Sequence, residues 1–548
     1  MLALDSNDRK LITKFYDLKR NEEQIQLAKQ IWQTTASVLK TKAQEEILLD
    51  INLSPQQMSM LINGLKYVIP CQSQFSSKSI EQLVSEQYQS LSTSVKNCLQ
   101  DHRITTTNKR AEEAFQALQC ILHELQSKKL SRKLEKRAKR EYKIVQSIRR
   151  LLRDRSDIVI RRTDKSKVFY IGKATDFARK SEEYMLKTEA YQEITSGRCP
   201  LSDMLCAVQT LLSSLVAQKA LSFQQYSKIS PKLNKLELGH YHGLPKPHKP
   251  STPLRPIIAC IHAPATLVSK FLNDLLAPIY LNVAREITFI NGIDVIRKLE
   301  KYILEGHFQA TTKFIIINVT DLYTMIPREG ALHTLMRFLE KNSHHGKIGT
   351  LSIAGIMRMA RLILDTNCFA YDNKYYQQTR GGAMGSAFTQ VLANIYMYEW
   401  EQDLIKHQAI HNGVYERYID DIFMTTNQSI DEIKIELEKA ANRDTNIKTE
   451  YAIDTSVNFL DVTIINMDGN LKTYLYHKTT TEPYILPYTS DHPRHVHRNI
   501  PFAALLRAAR ICSDLHDFNR ERIRIDMSLL LNNYPPNFIR KQFNRFFQ

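Results

Sequence analysis

No stretch of this 548-residue sequence reaches the run of about 18 apolar residues that a membrane-crossing helix needs, so no transmembrane helix, and no membrane partner by that route, is expected. The opening residues, MLALDSNDRKLITKF, lack the long apolar core of a secretory leader. The eight cysteines (Cys71, Cys98, Cys120, Cys199, Cys206, Cys260, Cys368 and Cys512) are scattered and include no CxxC pair. That spacing argues against a zinc ribbon and against a disulfide framework, and it makes a reducing compartment the default. No internal repeat is visible, which excludes solenoids and propellers.

Positive charge, by contrast, is in excess. The formal net charge is +18, which fits a polyanionic partner, nucleic acid or an acidic membrane surface, better than a small neutral substrate. Hydrophobic residues make up 43% of the chain and charged residues 24%, enough for sizeable buried cores. The length suggests roughly three or four lobes at about 100–200 residues each.

Residues 1–155 read as a basic helical region. The segment 111–154 contains neither Gly nor Pro, and Leu130, Leu134, Ala138, Val145, Ile148 and Leu152 are spaced as one helical stripe. Its other faces are crowded with Lys and Arg, as in a solvated helix or one that contacts phosphates. The run IVIRRTDKSKVFYIG then reads as strands, and a helical stretch follows to about residue 235. Prolines 245, 247, 250, 253 and 256 forbid helix in GLPKPHKPSTPLRPII and predict an extended basic loop entering a strand. Phe314-Ile315-Ile316-Ile317 is a strand buried on both faces, running out into Asn318, Val319, Thr320 and Asp321. Pro327 precedes an amphipathic helix. A glycine-rich loop at 381–386 opens another. Around Asp468-Gly469-Asn470, VNFLDVTII and LKTYLYHK read as a hairpin. Basic amphipathic helix returns from about residue 500.

The chemistry concentrates at Tyr418-Ile419-Asp420-Asp421. This is the only Asp-Asp dipeptide in the chain. Adjacent carboxylates repel unless water screens them or a cation lies between them. A strand–turn–strand pattern surrounds the pair. Nucleotidyl transfer by two metals needs such carboxylates together with another at a strand end. Asp321 is the candidate for that third ligand.

The segment Tyr418–Asp421 resembles the YxDD box of reverse transcriptases. LYTMIP at 322–327, GGAMGSAFTQVLANIYM, KPHKPSTPLRPII, NIKTEYAI and NFLDVTI resemble further boxes of those enzymes, in the same order. LSPQQMSMLINGLKYVIP at 53–70 and SDHPRHVHRNIPFAALLRAARICSD at 490–514 are similar to the Penelope-like branch. The chain shows no GIY-YIG nuclease after these helices. It is thus more similar to the endonuclease-lacking, telomere-associated members or to domesticated rvt proteins.

The resemblance implies an α+β right-hand polymerase (fingers, palm and thumb) with a helical N-terminal extension. Its divisions would be 1–155 for the N-terminal region, 156–480 for fingers and palm, and 481–548 for a thumb-like region. It implies an RNA-directed DNA polymerase using an RNA template, a DNA primer, deoxynucleoside triphosphates and Mg2+, with Mn2+ as a substitute. The implied location is the nucleus, with the cytoplasm also open, and the oligomeric state is left open. Asp420, Asp421 and Asp321 would hold metal. Tyr323 would sit under the incoming sugar. Arg255, with Lys246 or Lys249, would meet the triphosphate. Gly382 and Gly385 would admit nucleotide and template to the backbone. Lys448 would give a proton to pyrophosphate, and Phe459 and Leu460 would grip the primer. Two positions depart from the family pattern. The first catalytic aspartate is expected five residues before Tyr323, where this chain has Asn318. Ala387-Phe388-Thr389-Gln390 stands where proline and serine are usual. Asn318 motivates a rival expectation, a nucleic-acid-binding protein with a degenerate polymerase fold.

Overall fold

The computed structural model describes residues 53–71, 75–101, 109–164, 169–246, 249, 251–477 and 485–548. The chain is α+β. Of the N-terminal helical region, residues 1–52 lie outside the described residues. The remainder is helical as expected: α1 (Pro55–Asn63), α2 (Ile80–Asp101), α3 (Lys109–Ser127) and α4 (Arg132–Asp154). The stripe from Leu130 to Leu152 needs correction. α3 stops at Ser127, and Ser131 caps α4 by accepting from the Leu134 N–H. Leu130 therefore lies in the break between helices, while Ala138 and Ile148 are buried. Ile148 packs with Leu61 of α1 and Ile171. Ile171 belongs to the hairpin of β1 (Ile158–Arg162) and β2 (Phe169–Lys173), which the β-prone runs predict.

Next come α5 (Ala174–Thr188) and a five-stranded sheet. In chain order its strands are β3 (Tyr191–Glu193), β4 (Gly239–Pro245), β5 (Leu254–Ala259), β7 (Cys368–Tyr371) and β8 (Lys374–Gln378). Their spatial order is β3-β8-β7-β4-β5. The proline-rich segment is thus not a single extended arm. Its flanks pair as a β4–β5 hairpin, with Pro256 opposite Gly243. Proline is accommodated there because β5 is an edge strand, where a missing N–H donor is tolerated. Lys246 and Lys249 lie between the two strands, and Pro247 and Pro250 lie outside the described residues.

The second sheet positions the acidic turn. Its strands are β6 (Lys313–Thr320), β9 (Tyr415–Tyr418), β10 (Asp421–Thr426) and β11 (Lys448–Asp454), all antiparallel in the order β9-β10-β6-β11. Alternation divides β6 between two cores, as its continuous apolar run predicts. Ile315, Ile317 and Val319 pack on α6 (Thr266–Ala284), α8 (Arg328–Asn342) and α9 (Ala387–Trp400). Phe314 faces the other way, onto a core shared with α7 (Gly292–Leu304) and the C-terminal elements. α10 (Ile430–Arg443) crosses from β10 to β11.

VNFLDVTII is not one strand. It is a hairpin of β12 (Ser456–Phe459) and β13 (Val462–Met467), with Leu460 at φ +53° in the turn. The following turn, Asp468-Gly469 with φ +51° and +88°, joins β13 to β14 (Asn470–Leu475) as expected of a type I′ hairpin. Three helices close the chain: α11 (Arg494–Ile511), α12 (Leu515–Leu531) and α13 (Pro536–Phe547). An antiparallel sheet with its acidic turn at one end, helices behind it and a helical bundle after it matches the layout expected of a right-hand polymerase. No helix among the described residues is long and apolar enough to cross a membrane.

Candidate active site

β9 and β10 meet in a two-residue turn, Ile419-Asp420, closed by Tyr418 opposite Asp421. Ile419 has φ +59°. A β-branched residue in the left-handed region costs about 1–3 kcal/mol and persists only where its surroundings impose it. Here two bonds do so. The Val319 N–H donates to the Asp420 carbonyl at 2.8 Å. Arg417 Nη1 donates to the Ile419 carbonyl at 2.8 Å. With both carbonyls held, the carboxylates of Asp420 and Asp421 are left at the solvent edge, each half-buried.

Arg417 is itself buried, at 2% exposure, against Glu401 at 0%. Its Nε donates to Glu401 Oε2 at 2.7 Å, and Nη2 reaches the Tyr280 hydroxyl at 2.9 Å. Nη1 also meets Asn394 Oδ1 at 3.0 Å, and the Tyr415 hydroxyl donates to Glu401 Oε2 at 2.8 Å. Burial opposes the Arg417 charge, but the Glu401 carboxylate outweighs it and holds the guanidinium above its ordinary value. This network was not foreseen from the sequence. Its only signal is the charged pair Glu416-Arg417 in the middle of the short strand Tyr415–Tyr418.

Asn318 stands in the middle of a row across three strands. Asp421 is its register partner on β10 and Glu450 its partner on β11. Asn318 Nδ2 donates to Asp421 Oδ1 at 2.8 Å. Asp321 follows the end of β6, at φ +48°, as the cap of a short helix, Leu322–Met325. Its charge lies near Tyr184 of α5, whose hydroxyl meets Thr324 Oγ1 at 3.3 Å and whose phenol is pushed up by burial first and by Asp321 second. Among the described residues, Asp321 does not join Asp420 and Asp421 in a three-carboxylate cluster. Among the described residues no three His, Cys, Asp or Glu side chains are placed to hold a metal ion. The donors that do adjoin are the carboxylates of Asp420 and Asp421 and the neutral side chain of Asn318. All offer hard oxygen, which fits Mg2+ or Mn2+ by ligand type, with less charge than three carboxylates would supply.

Tyr323 is half-buried against the helix-backed core. Burial pushes its phenol up to about 12, with Asp420 adding to the rise and Arg255 opposing it. The aromatic thus lies in the fields of both the acidic turn and the β5 arginine. Arg255 Nη1 pairs with Asp164 Oδ1 at 3.1 Å, and Asp164 is buried while Arg255 is partly open. Burial and the Arg255 charge hold Lys246 below its usual lysine range, with Asp321 pulling the other way. Lys249 and Lys448 are exposed. Lys448 is two residues from Glu450 on β11, opposite Thr320.

The loop glycines are packed closely by the chain itself. A Cβ on Gly382 would lie 2.6 Å from Thr389 Oγ1, and one on Gly385 would lie 2.4 Å from the Ile258 carbonyl. At each position the space a side chain would take is already occupied by the chain. Gly381, which sequence reasoning missed, has φ +61°, and its Cβ would lie 2.1 Å from the Tyr323 carbonyl. Gly381 N–H donates to the Ile326 carbonyl and Gly382 N–H to that of Tyr323, at 2.8 and 2.9 Å. Arg380 Nε donates to the Met325 carbonyl at 3.0 Å. The loop therefore fixes the Tyr323 turn. Gly381→Ala is expected to cost about 2–4 kcal/mol, read by chemical denaturation, because it combines strain with a backbone clash.

Phe459 also needs correction. At 2% exposure it packs between Phe289 and Phe423, with ring centroids 5.8 and 5.4 Å away. Alternation turns Val457 and Phe459 into the core, so Phe459 seats the hairpin against β10 and does not face a primer. Leu460, half-buried in the turn, is the part of that pair nearer solvent. α9 begins at Ala387, directly after Ser386, even though proline and serine are absent from residues 387–390.

The family described as animal helix-turn-helix domain matches residues 484–544, a stretch that takes in α11 and α12 and most of α13. No curated protein matches the chain. Solved structures similar to it include a telomerase from Candida albicans in complex with a fragment of telomeric RNA. It shares 11% identity at a TM-score of 0.48, over 76% of this chain and 69% of that one. An apo telomerase from Candida tropicalis, truncated from its C-terminal domain, shares 9% identity at 0.42, over 80% and 86%. A Sicinivirus RNA-dependent RNA polymerase shares 10% identity at 0.35, over 60% and 71%.

One neighbour of the turn titrates near neutrality. Glu416 on β9 is buried and pairs with Lys298 at 2.8 Å. Burial pushes its carboxyl up to about 7, against the pull of Lys298. The folded chain holds this proton more tightly than the unfolded chain does. The contribution to stability is therefore full below about pH 4.5 and lost as pH rises through about 7. Thermal unfolding of Glu416→Gln is expected to depend less on pH across that window than the parent protein.

Proposed function

We propose that this chain is an RNA-directed DNA polymerase of the reverse-transcriptase type, extending a DNA primer on an RNA template from deoxynucleoside triphosphates. The observation that carries the reading is the Asp420–Asp421 turn, strained, clamped from behind and in register with the Asn318 end of β6. Asp420 and Asp421, with Asn318 beside them, would hold Mg2+ or Mn2+. When bound, the metal supplies charge that favours the 3′-alkoxide and the leaving pyrophosphate. Tyr323, seated by the 381–382 loop, would underlie the sugar and exclude a 2′-hydroxyl by bulk. Arg255, oriented by Asp164, and Lys246 would hold the triphosphate oxygens. Lys448, on the same strand face as Glu450, would donate the proton to pyrophosphate. Leu460 would meet the primer. The segments at 53–70, 322–327 and 490–514 support a Penelope-like affiliation, and with it a nuclear location.

A primer-extension assay with an RNA template tests this. DNA product from deoxynucleotides is expected, with poor use of ribonucleotides that improves in Tyr323→Val. No incorporation where a control polymerase works would sink the catalytic reading. It would favour a second one, nucleic-acid binding without synthesis, which Asn318 and the unassembled third carboxylate motivate.

A further inference from the structure

α4 presents two chemically different faces. The inner face grips the root of the C-terminal helices. Arg137 Nε donates to Glu141 Oε1 at 2.8 Å, and Nη2 donates to the Tyr67 hydroxyl at 2.7 Å and to the Thr489 carbonyl. Nearby, the Val68 N–H donates to Ser490 Oγ at 2.8 Å and the Asp491 N–H to the Val68 carbonyl at 3.0 Å. The outer face carries Lys133, Lys136, Arg140, Lys143 and Arg150, all exposed. Spacings of three, four, three and seven residues put them on one stripe about 25 Å long.

α4 holds ten Lys and Arg against three Asp and Glu, and two of those acids are already used, Glu141 by Arg137 and Glu135 by Lys139. Among the described residues no carboxylate pairs with Lys136, Arg140 or Lys143. Lining up like charges at these intervals costs stability unless something of opposite sign lies along them. The stripe borders a groove whose other wall is the start of α1, with Ser54, Gln56 and Gln57. Gln57 Nε2 donates to Ser147 Oγ at 3.0 Å and holds the two helices together. The groove therefore combines a line of cations with neutral amide and hydroxyl groups, and Ile144 is its one apolar lining residue. That composition suits the oxygens of successive phosphodiesters. It offers no apolar wedge of the kind a membrane surface requires, and no aromatic platform on which a base could stack.

We infer that the outer face of α4 is a second nucleic-acid surface, separate from the Asp420–Asp421 site, which binds the phosphate backbone of RNA or DNA without reading sequence. Because the opposite face of the same helix holds Thr489, the bound strand is fixed relative to the C-terminal helices.

The test uses the full chain, with EDTA and no triphosphate present, so that catalytic failure leaves the result untouched. Anisotropy of labelled RNA and DNA oligonucleotides of one sequence is followed across a salt series. The triple variant Lys136→Gln, Arg140→Gln, Lys143→Gln is expected to lower the slope of log affinity against log salt by about 2, with unchanged circular dichroism. Lys136→Arg with Lys143→Arg should keep the parent slope. If the triple variant misfolds, Arg140→Gln alone should lower the slope by about 0.7. Equal loss on both oligonucleotides identifies backbone charge as the whole signal, and a greater loss on RNA identifies RNA as the occupant. An unchanged slope overturns the inference. So does a triple variant that loses binding to phosphatidylserine vesicles but keeps binding to both oligonucleotides.

Discussion

Asn318→Asp is expected to raise the rate of metal-dependent nucleotide addition by about 10²–10³-fold, the scale on which one well-placed charge-stabilising group acts. Asn318 is the centre of the Asp421–Asn318–Glu450 row, and its amide donates to Asp421 Oδ1 at 2.8 Å. An aspartate there removes that donor and adds a charge at hydrogen-bonding distance from another carboxylate. Two such anions repel unless protonated or bridged by a cation. The variant should therefore melt lower than the parent in EDTA and regain more stability than the parent on adding Mg2+ or Mn2+. That second readout does not depend on synthesis. A variant with no extra metal-dependent gain in melting temperature would show that this position does not face the metal.

Loss of Arg417 should have the largest effect on folding. Arg417→Met leaves Glu401 charged and buried, which costs about 3–5 kcal/mol in comparable pairs. It also frees the Ile419 carbonyl, so the strained turn loses one of its two restraints. Urea denaturation should show the first effect. The second should appear as a fall in kcat larger than any change in KM, because the turn positions the carboxylates without touching substrate. Replacing Glu401 as well should return part of the stability, since an uncompensated charge costs more than an apolar pair. A single variant as stable as the parent would contradict the buried-pair account.

Much of the fold could be read from the residues themselves. The apolar run Phe314–Ile317 implies a strand buried on both faces, and the structure sandwiches it between two cores. The Asp-Asp pair between two short strands implies a turn there, and Ile419-Asp420 form it. Features set by tertiary contact were not legible. Leu460 turns the chain at φ +53° with no Gly or Asn to announce it. The break before α4 has only Ser131 as a signal. Arg417 and Glu401 meet between a strand and a helix end, a pairing that no sequence spacing specifies. Asp321 looked able to replace the missing carboxylate because it is near in sequence. The backbone turns after β6, with Asp321 at φ +48°, and the three carboxylates do not cluster among the described residues.

The central claim is that the Asp420–Asp421 turn is the seat of template-directed DNA synthesis. The most direct test measures extension of one labelled primer on one RNA template, by the parent chain and by the Asp420→Asn, Asp421→Asn variant, at matched Mg2+. The account predicts processive addition by the parent and a loss of about 10²–10³-fold or more in the variant, with primer–template binding retained. Extension at the parent rate in the variant would contradict it.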